Sequence, residues 1–272
     1  MKKLLILLLS MAIILGLSSC GQVSGNETSR LEQLRREFDG VGLAHNEALM
    51  LVYRDLAAEG AERRLTLEEG MTITDNCLCN TPVPSLNAII GPGGANTFPR
   101  YVIELLASPG VFAKPAMNAA ILDALSDSIG IIEEYKGIFD RIVNVLDSVT
   151  DTEAKMRELE QLYLMIDTEA EPGEDKTALM NGLSTLLHSI AYWDEHWYEW
   201  QETLAPGMQK SAAISIIGAI GIIDGAGAVL GTVEGFLETE PGEDGRAWTI
   251  LKSAVMEGCK SSVSAGLSLI LL

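Results

Sequence analysis

From residue 29 onward, apolar side chains recur at spacings of three and four with charged ones between them, and the period-two alternation of a half-buried strand is missing. The pattern predicts an all-α, multi-helix bundle of roughly seven or eight helices. Its clearest stretch runs from Met117 to Val149, where Ile121, Leu125, Ile129, Ile132, Tyr135, Phe139, Ile142 and Leu146 share one stripe, and Asp123, Asp127, Glu133, Glu134 and Asp140 mostly fall off it. Gly130 and Gly137 are where it would divide into two helices. Thr150 and Glu153 stand at capping-box spacing and predict the start of a helix running from Asp151 to Ala170. Further helices are expected over 175–204, 210–237 and 244–271, with an earlier pair over 29–38 and 44–59 broken at Gly40-Val41-Gly42. Between Gly70 and Pro99 the periodicity fails amid Asp75-Asn76, Pro82, Pro84, Gly91-Pro92-Gly93-Gly94 and Asn96, which predicts one long irregular loop over about residues 70–98. A loop of that length in a compact domain is usually functional or disordered, so on position alone it is the best place for a binding surface.

One pentapeptide recurs: Glu171-Pro172-Gly173-Glu174-Asp175 returns as Glu240-Pro241-Gly242-Glu243-Asp244. Pro then Gly suits the centre of a type II turn, and the acids that follow suit a helix N-terminus, so two similar inter-helix turns are expected. The alternating oxygen ligands of an EF-hand are absent from both.

The front of the chain follows a different order. Met1-Lys2-Lys3 precedes an apolar run from Leu4 to Gly16 and then Leu17-Ser18-Ser19-Cys20, the charged, apolar and small-residue sequence of a secretory signal. As a helix that run rises roughly 20 Å, short of the ~30 Å hydrocarbon core, so it does not read as a membrane span. Leu17, Ser18, Ser19 and Cys20 together resemble the lipobox of bacterial lipoproteins. The resemblance implies a signal peptide over residues 1–19, acylation of Cys20 as the new N-terminus and anchoring to the lipid bilayer through several acyl chains. Gly21 follows the cysteine where enteric-type lipoproteins retained at the inner membrane carry aspartate, so the resemblance favours the outer membrane over the inner. Residues 20–28 read as a lipidated tether, and 29–272 as a single helical domain. The segment from Gly42 through His45 to Asn46 weakly resembles a Gly-x-x-His-Asn segment found in uncharacterised exported helical lipoproteins, which implies no activity.

Charge narrows the partners. The chain carries 19 Lys and Arg against 38 Asp and Glu, and without residues 1–19 the balance becomes 17 against 38. So acidic a surface repels a phosphate backbone, and nucleic acid is excluded as a partner; an unknown protein or small-molecule ligand remains.

Candidate chemistry is sparse. Cys77, Cys79 and Cys259 remain beside Cys20, and a bridge within Cys77-Leu78-Cys79 is strained in an extended chain, so Cys259 is expected to pair with Cys77 or Cys79, with Cys79 to Cys259 the first candidate bridge. His188, Tyr192 and His196 share a helix face, but no HExxH or Glu-x-x-His is present. His188 and His196 are therefore only weak metal candidates, and the surrounding Trp193, Trp197, Tyr198 and Trp200 read as an aromatic packing patch. His45 reads as a residue of a first helical turn. No GxSxG, SxxK or catalytic-cysteine setting occurs, so no catalytic residue, cofactor or metal is assigned, and an enzyme is the less favoured reading.

The most unusual stretch is 211–237, with Gly221 and Gly225 at one spacing of four and Gly227, Gly231 and Gly235 at another. Small residues so spaced let helices approach closely. The run is apolar enough to suggest a membrane-active or pore-forming segment, yet Asp224 sits near its centre, at a cost of ~2.5–3.5 kcal/mol in a bilayer. The favoured expectation is a core helix of a soluble bundle, with Gly227, Gly231 and Gly235 against a neighbour and Asp224 at a polar edge. The chain thus reads as a membrane-anchored, non-catalytic binding or envelope-structural lipoprotein, with the membrane-active protein and then the metal-dependent enzyme as alternatives.

Overall fold

The computed structural model describes residues 25–60, 63–80, 117–127, 129–149, 151–206, 213–243 and 245–271. The leader, Cys20 and residues 81–98 of the expected loop lie outside them. Within them the fold is all-α: α1 (Gly25–Gly60), α2 (Leu67–Asn80), α3 (Met117–Ser126), α4 (Gly130–Glu134), α5 (Lys136–Ser148), α6 (Thr152–Glu160), α7 (Leu162–Glu169), α8 (Glu174–Leu204), α9 (Ala213–Leu237) and α10 (Arg246–Leu271).

Helices α1, α8, α9 and α10 form the central bundle, α2 packs on α1 and α10, and α3 and α5 cover α9 from the far side. Every residue from Ile217 to Val229 and from Ala254 to Ser268 is buried, so α9 and α10 have no solvent face over those stretches. This accounts for the all-round apolar character of α9, because a helix covered on every side needs no polar stripe. Its two glycine series divide the work. Gly221 and Gly225 turn toward α8, where an added methyl would lie 2.7 Å from the Ile190 side chain and 3.0 Å from the Gly182 carbonyl; Gly227, Gly231 and Gly235 turn toward α10. At Gly231 the methyl would meet the Ser253 carbonyl carbon at 2.6 Å, and at Gly235 the Ile250 Cα at 2.6 Å. Glycine here lets backbone rest on backbone, which outweighs its ~1 kcal/mol of lost helix propensity.

Four elements differ from the expectation. The pair over 29–38 and 44–59 is one helix, α1, whose buried stripe of Leu34, Val41, Ala44, His45, Ala48, Val52 and Leu56 runs straight through the glycines. Gly42 serves approach, not interruption: its missing Cβ leaves room for the His188 ring and the Ser184 carbonyl, at 2.6 and 2.7 Å from where the methyl would be. The Ser184 hydroxyl donates to the Phe38 carbonyl (2.9 Å) and accepts from the Gly42 amide (3.3 Å), inserting α8 into one rung of the α1 ladder. α1 also opens at Gly25, which shortens the expected tether.

The expected irregular loop loses its first part to α2. Thr66 and Glu69 form a capping box, the Thr66 hydroxyl accepting from the Glu69 amide (3.2 Å) and the Glu69 carboxylate from the Thr66 amide (2.9 Å). Gly70, Thr74, Cys77 and Leu78 then make one buried face at helical spacing. The 117–149 stretch forms three helices rather than two, with breaks before Gly130 and at Tyr135, and 151–170 divides at Gln161. The cap at its head is Asp151, whose carboxylate accepts from the Ala154 amide at 2.7 Å.

The two Glu-Pro-Gly-Glu-Asp turns are not alike. Gly242 has φ +86, the value a type II turn requires, whereas Gly173 lies at φ +151 as the residue capping α8. They meet at one end of the bundle, where Arg246 pairs with Glu174 at 2.7 Å. Near the start of α1, Arg30 grips Asp167 of α7 through two 2.7 Å bonds, and Lys176 adds a third contact at 2.6 Å. The Arg30 hydrogen bonds, followed by Lys176, hold the Asp167 carboxyl down at about 2.

Candidate functional site

The strongest concentration of polar chemistry lies where the four central helices meet. α1 supplies His45, α8 supplies Ser189 and Trp193, α9 supplies Asp224, and α10 supplies Ser262 and Cys259. All six are fully buried. Asp224 is therefore not at a polar edge as expected: it sits in a stretch of α9 that is buried on every side, and its neighbours supply the polarity. Its Oδ2 accepts from the Ser189 and Ser262 hydroxyls, the latter at 2.6 Å. The Trp193 indole N–H in turn donates to the Ser262 Oγ at 2.9 Å.

His45 closes the cluster from the side of α1, its Nε2 3.7 Å from the same Asp224 Oδ2. It occupies the middle of α1, not the first turn the sequence suggested, because Gly40 and Gly42 do not end the preceding helix. Its Nδ1 lies 3.0 Å from the Asn46 Oδ1, and the Asn46 amide donates to the His188 carbonyl at 2.9 Å, which fixes the ring against α8. The close approach of α10 is again made by glycine: a Cβ on Gly258 would lie 3.2 Å from the Thr185 methyl and 3.3 Å from the His45 ring.

Burial dominates the electrostatics. Desolvation pushes the His45 imidazole down to about 4 and the Asp224 carboxyl well above the ordinary carboxylate range, the latter against the opposing pull of the Ser189 and Ser262 hydroxyls. Both shifts favour the uncharged forms, so at neutral pH the imidazole is neutral and the acid is held toward its protonated form. The arrangement shares residue types with a nucleophilic triad but not its connectivity, since the Ser189 and Ser262 hydroxyls both donate to the carboxylate instead of to the imidazole. What it does is link α8, α9 and α10 through the Ser189, Ser262 and Trp193 hydrogen bonds, with His45 of α1 set against them and its Nε2 and the Asp224 Oδ1 buried without a hydrogen-bond partner among the described residues.

The other candidates lie apart. His188 faces Asp39 at 3.4 Å and His196 faces Glu199 at 3.2 Å, each imidazole with its own carboxylate. Among the described residues no group of three or more His, Cys, Asp or Glu side chains is placed to hold a metal ion. The tryptophans of the aromatic patch are core while Tyr198 is exposed: Trp193, Trp197 and Trp200 are fully buried, and the Trp193 ring centroid lies 4.8 Å from that of Trp200 and 5.8 Å from that of Trp197. Cys79, on α2, is exposed, whereas Cys259, on α10, is fully buried. A second buried polar group lies along α10, where Glu257 Oε1 is 3.6 Å from Lys260 Nζ, itself 3.8 Å from Asp75. Burial raises the Glu257 carboxyl to about 7, against the pull of Lys260.

The central cluster escaped the sequence reading because its members are separated by 35 residues or more along most of its links. One signal pointed to it: an aspartate in the middle of an apolar helix must find partners or lose its charge. No family model, curated protein or solved structure matches this chain.

Proposed function

We propose that the chain is an exported lipoprotein, held on the outer membrane in preference to the inner through acylated Cys20, whose helical domain is a non-catalytic binding or envelope-structural element. The observation that supports the non-catalytic part is the complete burial of His45, Ser189, Asp224 and Ser262, which places the cluster with the richest chemistry where no substrate reaches it. α1 opens five residues after Cys20, so the bundle stands no more than roughly 18 Å from the acylated residue. A domain held that near the surface, with an excess of acidic groups, is suited to engage other envelope components and not the anionic bilayer face itself.

Two measurements on the full-length chain test this. Growth with an alkyne fatty acid is expected to label the wild type and leave Cys20→Ser unlabelled; equal labelling of both removes the anchor. A fluorophosphonate probe is expected to leave Ser189 and Ser262 unmodified in the folded protein, and stoichiometric labelling of either would make the cluster a catalytic one.

One observation favours a second reading. Ile216–Leu237 is long and apolar enough to cross a membrane, although 83% of its most apolar window is buried inside the bundle. In the membrane-active alternative this helix leaves the bundle, and the protein then releases dye from uncharged vesicles. On the preferred reading the vesicles stay sealed.

A further inference from the structure

We propose that Cys77 and Cys259 are the disulfide-forming pair of this chain, joining α2 to α10, and that Cys79 is the thiol left over. The register of the two helices carries the argument. Opposite Gly70 of α2 lies Leu267, 2.7 Å from where a Cβ would be; Met71 accepts a bond from the Ser264 hydroxyl at 3.3 Å; and Asp75 lies 3.8 Å from Lys260. Positions rise on one helix as they fall on the other, so the helices are antiparallel, and the next inward position of α2, Cys77, comes opposite the 256–259 turn of α10. Cys77 and Cys259 are both buried in the core, at 4% and 0% exposure. Burial and the Asp224 carboxylate raise the Cys259 thiol, and charge on Cys77 raises it further. Cys79 follows Cys77 by two residues, about 200° around the helix, and is exposed.

The bridge forms by exchange with an external disulfide, which is the oxidant. One protein thiolate attacks a sulfur of that disulfide and expels a thiolate; the second protein thiolate attacks the resulting mixed disulfide and expels the other. Two protein thiols are oxidised as the external disulfide is reduced, and the two protons they give up end on the two small thiols released. Because burial raises the Cys259 thiol, closure is slow once the bundle has formed and faster at alkaline pH or during folding. That the bridge is made in the cell rests on the exported address proposed above, since disulfides persist in oxidising compartments. The pairing itself rests on geometry alone.

The test keeps the two apart. Full-length protein purified in reduced form is refolded with glutathione disulfide, its remaining thiols are alkylated in denaturant, and it is mapped without reduction. A Cys77 to Cys259 peptide with Cys79 alkylated or glutathionylated is expected, and reduction should then lower the thermal midpoint by on the order of 10 °C. Cys79→Ser should leave the bridge intact and Cys77→Ser should abolish it. A bridge through Cys79, or alkylation of all three thiols, overturns the pairing. If the bridge forms in vitro but protein taken from the envelope fraction yields all three as thiols, the oxidising address fails and the pairing stands.

Discussion

Gly231→Leu is expected to lower the thermal midpoint of the full-length protein by roughly 5–10 °C, because even the first carbon of the new side chain has no place to go. The Cβ would lie 2.6 Å from the Ser253 carbonyl carbon and 2.9 Å from the Ala254 amide nitrogen, and backbone cannot rotate aside as a side chain can. Overpacking of a filled core costs about 1–3 kcal/mol, and a domain of this size loses about 2–4 °C for each. Gly231→Ala should do nearly as much. Gly137→Ala is the matched control: nothing lies within 4 Å of its Cβ position, so the substitution should be neutral or gain up to ~1 kcal/mol from helix propensity. The outcome also separates the two readings of α9. A helix that leaves the bundle to enter a bilayer does not need the α10 contact, so an unchanged midpoint in Gly231→Leu, with sedimentation on uncharged vesicles that survives an alkaline wash, would replace the core-helix reading with the membrane-active one.

The parts of this fold that the sequence made visible are those written in local spacing. The stripe through Ile121, Leu125, Ile129 and Ile132 is buried as its period implied, and the series Gly227, Gly231, Gly235 does face a neighbouring helix. Glycine misled where its two roles compete. At Gly40 and Gly42 the sequence looked like a break, and only the presence of Ser184 and His188 against Gly42 makes it a contact. The head of the expected loop hid α2 for a similar reason: the breakers from Pro82 onward drew attention away from the Thr66 and Glu69 box a few residues earlier. The polar cluster is a harder case. Helical periodicity tells which face of α9 is apolar, but here every face is, so the position of Asp224 carries no phase information. That His45, Ser189 and Ser262 converge on it depends on how four helices are rotated about one another, and no single segment encodes that.

Substitutions at Asp224 should show how much of the bundle's specificity this convergence carries. Asp224→Ala leaves the Ser189 and Ser262 hydroxyls without their acceptor, in a fully buried space that has also lost volume. A cost of about 3–5 kcal/mol is expected at pH 7, combining two unmade hydrogen bonds with a small cavity. Asp224→Asn keeps shape and acceptor and removes only the titration. The sign of its effect follows from linkage. Asp224 is raised in the folded protein, so it contributes stability that is present below its unfolded value near 4 and is lost as pH rises through the folded value. Glu257, raised to about 7, acts in the same direction between about 4.5 and 7. His45 acts oppositely on the acid side: its folded value of about 4 lies below the unfolded 6.5, so the unfolded chain takes up the proton first and stability falls as pH drops through that window. Asparagine at 224 removes only the loss that Asp224 contributes. Asp224→Asn is therefore expected to lie near the wild type at about pH 4 and to gain on it as pH rises above that in urea unfolding. The Ala variant should stay below both throughout. An Asn variant as damaged as the Ala variant near pH 5, with a deficit that shrinks as pH rises past 6.5, would mean that Asp224 is a charged partner of His45 after all, and that the four helices are locked by an ion pair instead of by neutral hydrogen bonds.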